Sequence, residues 1–183
     1  MRIISGQHRG LTLASVGQGD AGAHLRPTSD RVRESLFNLL HNYGLPQGAR
    51  VLDLFAGTGA LGLESLSRGA VFACFVDDGR VAQRLIRENI SKCRRETDTR
   101  IVTANATRLA AHSGPPCDLV FMDPPYGKGL GQAALASAMA GGWIAAKAMI
   151  VWEENAAQTA PEGFTLLDQR RYGDTWITLL EAP

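Results

Sequence analysis

The sequence predicts an α/β domain in which a mainly parallel sheet is covered by helices on both faces. Short apolar runs alternate along the chain with segments whose apolar residues recur at helical spacing, and this alternation is typical of βαβ units. The 183 residues are enough for one domain with a sizeable core. Turns rich in glycine and aspartate follow the apolar runs, and in such sheets ligands bind beyond the carboxyl ends of the strands.

Each predicted element has a local signal. The strands are short apolar runs closed by turn residues, predicted over 50–55, 70–76, 100–104, 119–122 and 148–152, with a closing pair over 164–167 and 175–180. Helices over 60–68 and 80–95 each show an apolar stripe, and a third helix is predicted over 131–140. Gly69 is the predicted stop of the first of these helices.

The segment before the first of these strands forms a small extension. It contains a predicted hairpin over 2–15, a glycine-rich loop over 17–22 and the stretch RPTSDRVRESLFNLL. In that stretch Thr28 or Ser29 can cap a helix whose apolar side carries leucines. We therefore expect a single domain over 1–183, with an extension over 1–49 and a ligand-binding core over 50–183.

Composition narrows the class of protein. No apolar run approaches the roughly 20 residues of a membrane helix, and the start, MRIISGQHRG, turns polar too soon for a secretory signal. Three cysteines without C-x-x-C spacing indicate reduced thiols in a cytoplasmic protein, and the histidines lack metal-ligand spacing. Through Arg108 the chain has 15 Lys and Arg against 10 Asp and Glu, a net of +5; the remainder has 4 against 8, a net of −4. This asymmetry fits a basic face for a polyanion, or only solvated helix faces.

A glycine-rich turn follows the first strand of the core. Its residues GTGALG match the pattern G-x-G-x-x-G, and Asp77 follows Gly57 by twenty positions. The pattern alone fits a dinucleotide site or a structural turn. However, Asp53 lies inside the strand, where its carboxylate can accept a hydrogen bond from a cationic amino group, and the chain lacks room for the substrate domain of a dehydrogenase. A cofactor with an adenosine and an amino acid portion but no pyrophosphate fits better, which favours S-adenosylmethionine.

Each strand end then has an expected role toward this cofactor. Gly57 and Gly59 let the backbone approach it, and Asp77 accepts both ribose hydroxyls. The adenine edge is met by Asn105 and the backbone of Ala106. A turn started by Asp77 and a helix capped by Asn105 remain alternatives. The candidate cofactor residues are Asp53, Phe55, Gly57, Thr58, Gly59, Asp77, Asp78, Asn105 and Ala106.

The stretch DPPYGKG follows the fourth predicted strand. Two prolines in a row indicate either an ordinary turn or a rigid functional loop. A nucleobase amine is a poor nucleophile, so its methylation requires acceptors that hold both N–H bonds and stabilise the charge that develops on nitrogen. Asp123 can supply a carboxylate oxygen and Pro124 a carbonyl oxygen, whose direction Pro125 helps to set, and Tyr126 offers a face for a flipped base. We call residues 123–126 the acceptor clamp; it needs no metal and no covalent intermediate.

These motifs together resemble the Class I S-adenosylmethionine-dependent methyltransferases of the amino-methylating (D/N)PP(Y/F/W) type. The chain is most similar to the RsmD-type 16S rRNA (guanine-N2) methyltransferases, through RIISGQHRG, LRPTSDRVRESLFNLL, VLDLFAGTGALGLESLSRGA and DLVFMDPPYGKG. The resemblance implies a Rossmann-like seven-stranded sheet, mostly parallel with an antiparallel final strand. It also implies methyl transfer to the N2 amine of a guanine in 16S rRNA. We expect the partner to be 16S rRNA in the small ribosomal subunit or an assembly intermediate, and the protein to be a monomer with no membrane partner.

The resemblance further implies an RNA contact by the extension. Its RPT-x-D-R-V-R element places four residues near the mouth of the active site, and the hairpin adds His8 and Arg9; arginine suits phosphates and base faces. For Arg31 and Arg33, the alternative is that they lie on a solvated helix face and do not contact RNA. The candidate substrate residues are Arg26, Thr28, Arg31, Arg33 and Arg9.

Three other functions stay open on the sequence. The first is methylation of another nucleic-acid amine, such as adenine N6. The second is a dinucleotide-binding oxidoreductase, which GTGALG alone permits, and the third is an RNA-binding protein without catalysis. The neighbouring Asp77 and Asp78 also leave open which carboxylate holds the ribose.

Overall fold

The computed structural model describes residues 1–17 and 28–183, and their main element is one seven-stranded sheet. The strands are β1 Arg50–Leu54, β2 Phe72–Asp77, β3 Thr99–Thr103, β4 Cys117–Met122, β5 Ile144–Glu154, β6 Thr165–Tyr172 and β7 Thr175–Glu181. The helices are α1 Asp30–His41, α2 Ala60–Ser67, α3 Arg80–Cys93 and α4 Leu130–Ala140.

The strand order shows that the sheet grows first on one side of β1 and then on the other. The order is β3-β2-β1-β4-β5-β7-β6. Strands β1 to β5 pair in parallel, whereas β7 runs antiparallel to both β5 and β6. The chain therefore moves outward from β1 to β3 and returns to the other side of β1, which creates a switch point between β1 and β4. The expected fold class is confirmed.

Helices cover both faces of the sheet because the apolar side chains of its strands alternate in direction. Val51, Phe121 and Val151 pack with α1, α2 and α3 in one cluster. Leu52, Val120 and Ile150 point the other way and pack with α4 in a second cluster. We call these the α1–α3 face and the α4 face.

Buried polar groups attach the extension to the core. Residues 1–13 fold back as expected, but their pairing is one antiparallel bridge between Arg2 and Thr12 and not a regular ladder. The buried Glu64 carboxylate on α2 accepts the backbone N–H groups of Ile4 at 2.7 Å and Ser5 at 3.1 Å. Asn89 on α3 accepts from the Ala14 N–H at 2.7 Å. Residues 15–16 are thereby held against the core.

Strands β5 and β6 depart most from their predicted bounds: β5 begins four residues earlier and ends two residues later, and β6 ends five residues later. β5 continues to Glu154 because Glu153 and Glu154 still pair with β7, opposite Ile177 and Trp176. Their carboxylates are buried and accept hydrogen bonds, which a hydropathy pattern does not show. β6 continues to Tyr172 although its residues are polar, since most of this edge strand is exposed or half-buried. The glycine-rich loop predicted over 17–22 lies outside the described residues from position 18 onward. None of the helices in the described ranges has the length and apolarity needed to cross a membrane.

Candidate active site

A cavity of about 1010 Å³ opens at the carboxyl ends of β1, β2 and β4. Its volume is at the upper end of the roughly 300–1,000 Å³ typical of small-molecule sites. It lies at the switch point, where doubly covered sheets bind ligands. Its walls come from the extension, the two loops after β1 and β2, and the acceptor clamp; the described lining residues include Met1, Ser15, Val16, Thr28, Arg33, Asp53, Phe55, Gly57, Thr58, Leu61, Asp77, Asp78, Arg80 and residues 123–126.

The loop after β1 is held in an unusual backbone conformation. Phe55, Gly57 and Gly59 have φ angles of 58°, 57° and 76°, in the left-handed region. For Phe55 this conformation is strained, and such strain is commonly found at functional sites. Gly59 is the N-cap residue of α2, and a Cβ there would come within 3.2 Å of the Phe75 ring. A Cβ at Gly62 would overlap the same ring, so the third glycine of the pattern allows α2 to pack on β2.

Asp77 organises the two loops at the mouth of the cavity. Its Oδ2 accepts the Gly57 N–H at 2.9 Å, and its Oδ1 accepts the Gly79 N–H at 2.8 Å. Burial raises the pKa of Asp77, while these two hydrogen bonds oppose the rise. The structure therefore shows the turn role that was the alternative for this residue. Each oxygen keeps a second lone pair, so ribose binding stays a prediction. The neighbouring Asp78 also lines the cavity and is exposed.

Asp53 is the most deeply buried carboxylate of the cavity wall. It is 3% exposed, and its Oδ2 accepts the Gly62 N–H at 3.0 Å. Burial raises the pKa of Asp53 to about 8; the Gly62 hydrogen bond opposes the rise and the nearby Asp77 adds to it. A cationic ligand group beside this carboxylate would favour its ionised form.

A smaller cavity of about 220 Å³ adjoins the first and is lined by residues 104–106, which directly follow β3. Both cavities are lined by Phe55, Asp77, Asp78 and Pro125, and the smaller one also by Asn105 and Ala106. The predicted ligand-binding stretches after β1, β2, β3 and β4 thus meet at one end of the sheet. The Oδ1 atom of Asn105 accepts from the Thr107 N–H at 2.9 Å and caps a 3-10 turn, as the alternative interpretation had it. Its contact with adenine stays a prediction.

Buried glutamates anchor the acceptor clamp. Pro124 is buried, and the Tyr126 hydroxyl donates to Glu153 Oε1 at 2.9 Å. The other oxygen of Glu153 accepts from the Thr28 hydroxyl at 3.0 Å, which links the clamp to the extension. Burial raises the pKa of Tyr126, with the nearby Glu153 carboxylate adding to the rise, so the phenol remains a donor. Glu154 Oε1 accepts the Gly127 N–H at 3.2 Å.

The sequence interpretation missed both glutamates. Glu153 and Glu154 are 6% and 5% exposed and end β5 on the clamp side of the sheet. The one available signal was the pair of acids directly after the apolar run AMIVW, a position where a parallel strand ends beside a ligand site. Ser29, and not Thr28, caps α1, because its side chain accepts from the Val32 N–H at 3.3 Å.

The candidate RNA residues lie in different environments. Arg31 is exposed on α1, whereas Arg33 is completely buried and lines the cavity, which rules out a solvated helix face for Arg33. Arg9 is exposed in the hairpin turn, whose Gln7 and His8 N–H groups bond to Ser67 at the far end of α2. Arg9 is not among the described residues that line the cavity, which lies at the other end of α2, about 12 Å away along its eight residues. Its contact with RNA stays a prediction. Arg26 lies outside the described residues.

The described cysteines do not contribute to the site. Cys74, Cys93 and Cys117 are free and buried, and burial raises the pKa of each thiol. Across residues 1–17 and 28–183, no group of three or more His, Cys, Asp or Glu side chains is placed to hold a metal ion. The chemistry at this end of the sheet therefore rests on carboxylates, backbone groups and the clamp.

Comparisons with known proteins point in one direction. The family model described as conserved hypothetical protein 95 matches residues 1–181. The ribosomal RNA small subunit methyltransferase D of Escherichia coli K12 is 41% identical over 185 residues, which cover 99% of this chain and 89% of that protein. The protein of the same description from Haemophilus influenzae is 33% identical over 178 residues, covering 94% and 89%. The solved structure of Escherichia coli yhhF has a TM-score of 0.84 and 36% identity, covering 100% of this chain and 97% of that one.

Proposed function

The chain belongs to the conserved hypothetical protein 95 family, together with the ribosomal RNA small subunit methyltransferases D, and we propose on that premise that it methylates the exocyclic N2 amine of a guanine in 16S rRNA. The methyl donor is S-adenosylmethionine. The substrate is RNA within the small ribosomal subunit or an assembly intermediate, and the enzyme acts as a monomer. Residues 1–49 contact the RNA and complete the active site, while residues 50–183 bind the cofactor.

One observation carries this proposal: the acceptor clamp and the candidate cofactor residues border the same cavity. Asp123 and Pro124 line it together with Asp53, Gly57 and Asp77. An amine held by the clamp therefore lies within reach of a cofactor held by the ends of β1 and β2. A dinucleotide oxidoreductase gives no reason for an acceptor clamp at this position.

The residues present fit S-adenosylmethionine, which supplies an electrophilic methyl group on a sulfonium when bound. The buried Asp53 carboxylate suits the ammonium of the amino acid portion. Asp77 or Asp78 suits the ribose hydroxyls, and the smaller cavity, with Asn105 and Ala106, suits the adenine. In the loop after β1, the positive φ angles and the absence of a Cβ at the glycines let the backbone pass close to the ligand.

The clamp performs the catalytic work of the chain. The Asp123 carboxylate and the Pro124 carbonyl accept the two N–H bonds of the guanine amine, which turns its lone pair toward the methyl group. Both acceptors would stabilise the positive charge that develops on nitrogen while the sulfonium gives up its methyl group to the amine. Asp123 then accepts the proton that the amine loses. Tyr126, held by Glu153, provides the surface on which the base stacks.

Methyl transfer to unmethylated small ribosomal subunits tests this function. Labelled S-adenosylmethionine is supplied to the wild type, Asp123→Ala and the control Asp118→Ala, which removes an exposed carboxylate at the opposite end of β4. We expect N2-methylguanosine from the wild type and the control, and a loss of at least about 100-fold in the clamp variant. Label on another nucleoside would contradict guanine N2, and label retained in Asp123→Ala would contradict the role of the clamp.

A further inference from the structure

Arg33 is a buried cation whose hydrogen-bonding capacity is only partly used. Its side chain is 0% exposed, yet it lines the cavity. Its Nη2 donates to the Arg2 carbonyl and to Asp30 Oδ1, both at 2.7 Å. Its Nε and Nη1 are buried without a hydrogen-bond partner among the described residues. Buried polar groups are normally satisfied, so these two donors point to a ligand.

The position of Arg33 limits what that ligand is. The cavity wall around it is otherwise rich in acid, with Asp53, Asp77 and Asp123, and its other described cationic side chain, Arg80, is exposed. Among the described lining residues, an anionic ligand group in this cavity therefore has one buried cationic side chain to meet, Arg33.

Arg33 and Asp53 lie on the same side of the sheet. Asp53 points to the α1–α3 face, because Val51, two residues earlier on β1, packs there. Arg33 belongs to α1, whose Leu36 and Phe37 are buried in the same cluster. Ala106, beside the proposed adenine site, packs on the α4 face. A cofactor whose adenine lies at the smaller cavity thus directs its amino acid portion toward Asp53 and Arg33.

We propose that Arg33 binds the carboxylate of the cofactor's amino acid portion, so that Asp53 and Arg33 form a matched pair for its ammonium and carboxylate. This inference rests on the proposed use of S-adenosylmethionine and moves Arg33 from the RNA-binding set to the cofactor site. A planar guanidinium with two free donors suits a carboxylate. Asp30 and the Arg2 carbonyl hold the guanidinium in place from the other side.

A comparison of two ligands tests the pairing without any RNA. Calorimetry measures the affinities of S-adenosylmethionine and of decarboxylated S-adenosylmethionine, which retains the sulfonium and the amine. We expect the wild type to bind the complete cofactor at least about tenfold more tightly than the decarboxylated one. In Arg33→Met, the ratio of these two affinities should fall by about tenfold or more. The control Arg68→Met removes another largely buried arginine, paired with Glu64 away from the cavity, and should keep the wild-type ratio.

The affinity ratio separates recognition of the carboxylate from structural damage, because damage to the cavity weakens the binding of both ligands alike. An unchanged ratio in Arg33→Met overturns the proposal, as does a wild type that binds both ligands equally; the latter leaves the methyltransferase function standing. Arg33→Gln is the second variant if the first does not fold, and the same loss is expected. If Arg33→Met instead weakens RNA binding while keeping the ratio, Arg33 belongs to the substrate site. A wild type that binds neither ligand overturns the proposed function itself.

Discussion

Replacing Asp53 by asparagine should remove a pH dependence of cofactor binding. Burial raises the pKa of Asp53 to about 8, so only about one tenth of the unliganded protein has this carboxylate ionised at pH 7. Bringing it to the ionised form at that pH costs ~1.4 kcal/mol, or about tenfold in affinity. A bound ammonium typically lowers the pKa of a neighbouring carboxylate by about 1–3 units. Binding therefore releases a proton.

The direction of the pH dependence of ligand affinity follows from this proton release. Because the ligand prefers ionised Asp53, affinity rises with pH up to the pKa of the free protein. For a shift of 2–3 units, the affinity for S-adenosylhomocysteine, which has the same amino acid portion, should increase about five- to tenfold between pH 6 and pH 7. Above about pH 8 the ligand's own amine deprotonates, and affinity falls again.

Calorimetry in buffers of different ionisation enthalpy measures both affinity and proton release. The wild type should release close to one proton per ligand near pH 6.5, and Asp53→Asn should bind more weakly and show no dependence between pH 6 and pH 7. Asparagine keeps an acceptor for the Gly62 N–H, so the fold around α2 is preserved. A wild-type affinity that is flat over this range, or a slope that persists in Asp53→Asn, would refute the assignment of Asp53 to the ammonium.

Three further predictions concern packing, the clamp and RNA. Gly62→Ala should destabilise the protein by about 1–3 kcal/mol, because its Cβ would overlap the Phe75 ring; chemical denaturation should show partial recovery when Phe75→Leu is added. Glu153→Gln weakens the acceptor of the tyrosine in the clamp, so kcat should fall about tenfold while calorimetry shows an unchanged cofactor affinity. Arg31→Gln should reduce the slope of log affinity for RNA against log salt by about 0.7–0.9, whereas Arg171→Gln on the β6 edge should leave it unchanged; equal slopes in both variants would remove Arg31 from the RNA surface.

Elements and motifs that depend on residues close together in the chain could be predicted from the sequence. Local patterns of neighbouring residues predict the alternation of strands and helices, the glycine turn after β1 and the clamp after β4. These features can therefore be recognised in the sequence. The rule that ligands bind at the carboxyl ends of parallel strands then predicted that Asp53, Gly57, Asp77 and Asp123 lie close together, and all four line one cavity in the structure.

The burial of individual polar residues and their contacts could not be predicted in this way, because both depend on the tertiary structure. Arg31 and Arg33 belong to the same sequence element, yet one is solvated and the other lines the cavity, because α1 packs with only one side against the sheet. Glu153 meets Thr28 across 125 positions of the chain. Such pairings depend on strand order and on the way helices pack, and burial then changes the pKa of a carboxylate such as Asp53 through the loss of solvent. No local pattern carries that information.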